Sequence, residues 1–309
     1  MAEKKNSAAS VRQRLLNLAR ERGEDFGIIL TKYGLERILA RLAESPYQNQ
    51  FVLKGAMLFA VWTNAPHRST RDLDFLSFGE HEIVEVENVF REIIKIEIED
   101  GLVFDTESVK GAKIKEDQEY EGVRVQLTAD LAGARIPLRI DVGFGDTVTP
   151  GAAEIKFPTL LGFPAPKILI YHRETVVAEK FQAMVSLGIG NSRMKDFYDL
   201  WYLAQNFEFD GEQLQAAIGA TFDRRKTSLP SESLPPLALT GEFAADADKQ
   251  KQWQAFLRRA QIQPQIDLET IIAALGEFLL PPTGALVSQT AFLQKWMPDK
   301  RGWKPIKIN

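Results

Sequence analysis

Residues 136–144 read IPLRIDVGF, in which Ile136, Leu138, Ile140, Val142 and Phe144 fall at every second position. A period of two belongs to a strand with one buried face, whereas a helix returns to the same side every three to four residues. The opposite face of this strand carries Arg139 and Asp141. Asp141 interrupts an apolar run, and Gly143 and Gly145 after it permit close approach of another backbone or a ligand. Residues 102–105 and 122–129 also read as strands, so an antiparallel run is expected in this part of the chain.

A second strand is expected at residues 72–76. Leu73 and Phe75 face one way, and Asp72 and Asp74 share the other face. Two carboxylates held that close repel unless a cation lies between them. Mg²⁺ suits such a pair, because it binds one or two carboxylates and keeps other positions for substrate phosphates. With Asp141 arriving from a later strand of the same sheet, the set can bind a triphosphate and activate an attacking hydroxyl. For each aspartate the plainer alternative is a solvated strand face.

Around this pair lie other candidates. Lys54-Gly55 precedes a short apolar helix bearing Met57, Leu58, Val61 and Trp62, and a glycine at a helix start exposes N–H groups that bind anions. An ordinary helix start explains the same residues. Arg68 either pairs with the carboxylates or meets phosphate. Thr70, two residues before Asp72, shares its face, which puts its hydroxyl at the metal site. Lys180 sits in the apolar stripe of a helix with Val176, Val177 and Met184, where a lysine needs a partner or a cleft. It either reaches phosphate or snorkels to solvent. Asp196 opens the next helix and either caps it or pairs with Lys180 or the nucleotide; the place of Asp199 stays open. His67, His81 and His172 show no metal-ligand spacing, and no serine-protease-type triad, P-loop or dinucleotide fingerprint is present.

The remaining chain is read as helical at 8–20, 29–43, 82–96, 173–188, 194–206, 212–224, 246–261, 267–279 and 289–297. Residues 145–171, rich in Gly and Pro, read as a connector, and 226–243 as a loop or linker. The expected fold class is α+β. The expected division is 1–150, N-terminal helices with an α+β domain, and 151–309, a helical domain that completes the site in a cleft.

The 309 residues are 45% apolar and 26% charged, which suits a globular chain with a sizeable core. There is no cysteine, hence no disulfide and no thiolate metal site. The N-terminus lacks an apolar signal region and no run is read as long enough to span a membrane, so a cytoplasmic protein without membrane contact is expected, with a monomer favoured. Net charge is −4, so there is no global basic field. Locally, Arg224, Arg225, Lys226, Arg258, Arg259 and a C-terminal tail with five basic residues against one acidic are candidates for nucleic-acid phosphates. Trp296 and Trp303 in that tail could stack on an exposed RNA end; a loose terminus or a protein contact is the alternative.

The runs LKGAMLFAVW, HRSTRDLDFL, VAEKFQAMVSLG and RMKDFYDLWYL, in this order, resemble the AbiEii/AbiGii nucleotidyltransferase toxins, which include the MenT-type toxins. SVRQRLLNLA and YGLERILARL resemble the N-terminal part of that family, and the likeness spans roughly residues 10–206. It implies a DNA polymerase β-like nucleotidyltransferase domain followed by a helical domain. It also implies a toxin countered by an AbiEi-type antitoxin, and transfer of nucleotides from NTPs to tRNA 3′ ends, blocking aminoacylation and translation. The family pattern falls on Lys54, Gly55, Ala56, Arg68, Thr70, Asp72 and Asp74, and downstream on Lys180 and Asp196. Thr70 occupies the position that is phosphorylated in some relatives, silencing the toxin. Ala56 stands where many members have a second glycine.

The expectation is therefore a Mg²⁺-dependent nucleotidyltransferase. Asp72, Asp74 and Asp141 hold metal, with Asp141 suited to deprotonating the acceptor. Lys54, Gly55, Arg68, Thr70 and Lys180 meet the nucleotide, and Asp196 orients Lys180 or touches the nucleotide. Two alternatives remain: transfer of a nucleotidyl or phosphoryl group to a protein hydroxyl, including its own Thr70, and a non-catalytic regulatory binding module.

Overall fold

A computed structural model describes residues 7–63, 70–79, 82–116, 120–231, 235–263 and 265–306. The chain forms two compact units, one of Met1–Asp146 with Ala152–Tyr171 and one of Thr147–Gly151 with His172–Asn309. Against the single division expected at 150/151, Ala152–Tyr171 groups with the first unit and Thr147–Gly151 with the second.

The first unit opens with two helices, α1 (Ala8–Arg22) and α2 (Phe26–Ala43). Ser7 and Asp25 cap them, each accepting from a backbone N–H of the first turn. The strands β1 (Phe51–Lys54), β2 (Leu73–Ser77), β3 (Val103–Glu116), β4 (Tyr120–Leu131), β5 (Ala134–Phe144), β6 (Ala153–Lys156) and β7 (Lys167–Ile170) follow in sequence. Among the described residues they form one mixed sheet in the order β3-β4-β5-β2-β1-β7-β6. A 3-10 turn (Gly55–Leu58) and the short α3 (Phe59–Trp62) follow β1, and α4 (Ile83–Lys95) precedes β3.

One face of the sheet is the core. Leu73, Phe75, Val123, Val125, Leu127, Ile136, Leu138, Ile140 and Val142 are all buried there. Helix α2 packs on it closely enough that a Cβ at Gly34 would meet Leu138 Cδ2 at 2.8 Å, and α4 packs on β3 at Gly111. Burying nine such side chains, at about 1.5–3 kcal/mol each, fixes the register, since a one-residue slip would turn the set outward.

The connector expected at 145–171 is a correction: it contains β6 and β7, and β7 pairs in parallel with β1 through Val52↔Leu169 and Leu53↔Ile170. Four-residue strands are too short to show a period.

The second unit contains α5 (Arg173–Leu187), α6 (Met194–Asn206), α7 (Gly211–Arg224), α8 (Gly241–Ala245), α9 (Ala247–Ala260) and α10 (Leu268–Val287). It also holds a small sheet of β8 (Phe209–Asp210), β9 (Gln294–Met297) and β10 (Gly302–Pro305). The helix expected at 289–297 is therefore irregular chain followed by the strand Gln294–Met297. The linker expected at 226–243 includes a 3-10 turn (Leu237–Leu239) and the start of α8.

Helix α10 corrects two readings. It continues through Pro281 and Pro282, where its end was expected near 279, and its 20 residues are long and apolar enough to cross a membrane by length and composition. Its Leu268, Ile271, Leu275, Phe278 and Leu279 are buried, and it packs against α6 and α7. Pro282 has no N–H for the carbonyl of Phe278 four residues back, and the Trp303 indole N–H donates to that carbonyl at 3.1 Å. Trp296 does the same for Ala204, whose carbonyl lies in the last turn of α6, at 2.7 Å.

Candidate metal and nucleotide site

The polar face of the sheet gathers its charges by register. Lys54 lies opposite Asp74 across β1 and β2, Asp74 opposite Asp141 across β2 and β5, and Asp141 opposite Arg124 across β5 and β4. A row of base, acid, acid, base therefore runs across four adjacent strands. Asp72, just before β2, joins it. Oxygens of Asp72, Asp74 and Asp141 lie within 4.8 Å of one another. Opposite ligands of an octahedral Mg²⁺ with oxygens at about 2.1 Å are about 4.2 Å apart, so a small side-chain rotation brings the three carboxylates to that spacing. The residues fit a divalent cation by number, charge and oxygen chemistry.

Each carboxylate has a local support. The Thr70 hydroxyl donates to Asp72 Oδ1 at 2.8 Å, and Thr70 itself is buried. Gly55 makes room for Asp74: it has φ +73°, and a Cβ there would lie 2.0 Å from Asp74 Oδ2. The glycine thus has a second reason besides N–H exposure, and the turn it opens is a 3-10 segment leading into a four-residue helix. Asp141 accepts a bidentate pair from Arg124, Nε at 2.8 Å and Nη2 at 2.6 Å. Lys54 Nζ is 3.4 Å from the buried carboxylate of Asp146 and 5.9 Å from the Tyr171 ring centroid.

In the second unit, Lys180 of α5 bonds Asp196 of α6, and its Nζ is 3.0 Å from Asp199 Oδ2. Asp199 is fully buried and Asp196 nearly so. The pairing alternative raised for Asp196 is the one observed, while the N-cap position of α6 belongs to Arg193. Two carboxylates of α6 thus face the one ammonium of α5.

Arg68, His67 and His81 lie outside the described residues. Arg124, Asp146 and Asp199 were not singled out by sequence reasoning as site-forming. Arg124 comes into view only through the hairpin register. Leu131 pairs with Ala134 around Ala132 and Gly133, both at positive φ, and this two-residue turn sets the register that puts 124 opposite 141.

The reading of the C-terminal tryptophans as stacking platforms is corrected. Trp296 is buried, Trp303 stacks on Phe278, and both indole N–H groups are engaged in the fold. Arg225 is tied to Gln182 Oε1 at 2.8 Å and lies 3.6 Å from Glu179, and Lys295 pairs with Glu208. Arg224, Lys226, Arg258 and Arg259 are exposed.

The model of the family "Nucleotidyl transferase AbiEii toxin, Type IV TA system" matches residues 37–274. No curated protein matches the chain. Among solved structures, JHP933 from Helicobacter pylori is 17% identical, with 83% of this chain and 88% of that chain covered and a TM-score of 0.43. A candidate nucleotidyltransferase from H. pylori is 16% identical, with 83% and 91% covered and a TM-score of 0.42. The family match spans most of the sequence and contains every residue of the carboxylate cluster, Lys180 and Asp196, so this chain belongs to the AbiEii nucleotidyltransferase toxin family of type IV toxin–antitoxin systems.

Proposed function

We propose that the protein transfers nucleotides from an NTP to RNA in a Mg²⁺-dependent reaction, with the tRNA 3′ end as acceptor, and thereby blocks aminoacylation and translation. The observation that carries this reading is the convergence of Asp72, Asp74 and Asp141 on one sheet face. Mg²⁺, when bound, supplies neutralisation of triphosphate charge and a more acidic acceptor hydroxyl. Asp72, ordered by Thr70, Asp74, seated against Gly55, and Asp141 would together hold the cation. Asp141 takes the proton of the acceptor hydroxyl as the hydroxyl oxygen bonds the α-phosphorus, and the bond from that phosphorus to the β-phosphate breaks, so pyrophosphate leaves. Lys54 and Lys180 offset phosphate charge, and Asp196 orients Lys180. Positioning and charge compensation carry such a reaction, since the protein forms no covalent bond in it.

A family place in a type IV system implies a nucleotide substrate and an antitoxin partner. The antitoxin is taken as AbiEi-type, and the toxin as a cytoplasmic monomer. Phosphate on Thr70 would put negative charge against Asp72 and silence the site. Arg224, Lys226, Arg258 and Arg259 are the candidate tRNA phosphate contacts, which makes binding salt-sensitive.

The test is incubation with Mg²⁺, total tRNA and each labelled NTP in turn. Label is expected in RNA with the wild-type protein and absent with Asp72→Asn. Label on protein instead moves the acceptor to a hydroxyl side chain, and growth inhibition that survives Asp72→Asn favours a binding module.

A further inference from the structure

Asp141 accepts from the Arg124 guanidinium with both of its oxygens, at 2.8 and 2.6 Å. A side-on fork of this kind occupies the carboxylate's best-directed lone pairs. The cation site and the fork therefore draw on the same electrons, and a divalent ion a few ångströms from the guanidinium is repelled by it. Backbone pairing holds the two residues opposite each other, so Arg124 returns to Asp141 whenever the carboxylate is free. Its side chain is 38% exposed, against 17% for Asp141, so it can swing away without opening a buried hole.

We propose that Arg124 is a displaceable counter-ion of the carboxylate cluster: it holds Asp141 in the metal-free protein, competes with the divalent cation for that carboxylate, and so sets how much cation the site requires. This rests on the metal-dependent reading above. It makes Arg124 a positioning residue that acts through Asp141. Without it, Asp72, Asp74 and Asp141 would face one another in the cation-free protein with one base fewer on their sheet face.

The test uses the full-length protein stripped of metal, with Mn²⁺ as probe and free Mn²⁺ measured by electron paramagnetic resonance. Arg124→Gln is expected to bind Mn²⁺ about fivefold more tightly than wild type, the release of a partly exposed ion pair worth about 1 kcal/mol. Arg124→Lys, which keeps the charge but loses the fork, is expected to fall between them. In an Asp141→Asn background, Arg124→Gln is expected to change nothing. Melting in EDTA should find Arg124→Gln less stable than wild type, with a larger gain on adding Mn²⁺. If Arg124→Gln is unfolded in EDTA, Arg124→Lys carries the comparison. Equal or weaker Mn²⁺ binding by the folded variants, or a gain that persists without Asp141, overturns the proposal while wild-type binding that Asp72→Asn abolishes keeps the metal reading intact. Absence of Mn²⁺ binding in wild type and variants alike overturns both.

Discussion

Gly55 shows how one residue shapes the site. Its positive φ strains any L side chain, and its missing Cβ is where the Asp74 carboxylate sits. Gly55→Ala is expected to lose about 1–3 kcal/mol of stability in thermal or denaturant unfolding and to weaken Mn²⁺ binding, because the carboxylate must move. An unchanged affinity would remove Gly55 from the site. Ala56, where a second glycine was the family expectation, belongs to an ordinary 3-10 turn and needs no glycine backbone.

Glu36 is a buried titrating group apart from that cluster. Burial pushes its carboxyl up to about 7, against the opposing pull of Arg37 and of the Leu160 N–H that it accepts at 2.6 Å; Asp100 adds to the rise. A carboxyl raised in the folded state binds its proton more tightly there than in the unfolded chain. Its stabilisation is full below the unfolded value near 4.5 and is lost as pH rises through about 7. Unfolding measurements from pH 4.5 to 8 are expected to show stability falling by up to about 3 kcal/mol from this group, and a smaller slope in Glu36→Gln. An identical slope in the two proteins would contradict the assignment.

At the scale of elements, long periodic segments were legible. The five-residue alternation in 136–144 and the helix read at 29–43 identified β5 and α2, because each buries a continuous face, that of α2 including Leu35, Ile38, Leu39 and Leu42. Asp72, Asp74 and Asp141 were legible for the same reason: strand parity says which side chains share a face. Pairing was not legible. Arg124 becomes visible only once the turn at 132–133 sets the register, and β7 is a strand because β1 offers it an edge and β6 because β7 does, not because their own residues alternate strongly. The C-terminal hairpin is the sharpest difference. Trp296 and Trp303, among basic residues, left open a nucleic-acid surface, a loose terminus or a protein contact; tertiary contacts instead assign them to carbonyls that α6 and α10 leave unpaired. Trp296→Ala is expected to cost about 3–5 kcal/mol in unfolding free energy through the lost ring and its hydrogen bond. A variant with native stability but impaired RNA binding would restore the stacking role.

For the whole molecule, the α+β sheet unit and the family match leave a definite chemistry to be tested, in which a cation held by three aspartates is the central claim. Lys180 and its two acids, Asp196 and Asp199, form a second charged element whose pairing was half foreseen from the apolar stripe around the lysine. The most direct measurement is anomalous diffraction from crystals of the protein grown with Mn²⁺ and a non-hydrolysable NTP. The account predicts a peak coordinated by oxygens of Asp72, Asp74 and Asp141 at about 2.1–2.2 Å, with triphosphate oxygens completing the shell and the Arg124 fork released. A bound nucleotide whose metal lies away from those three carboxylates, or an ordered nucleotide with no metal beside them, would contradict it.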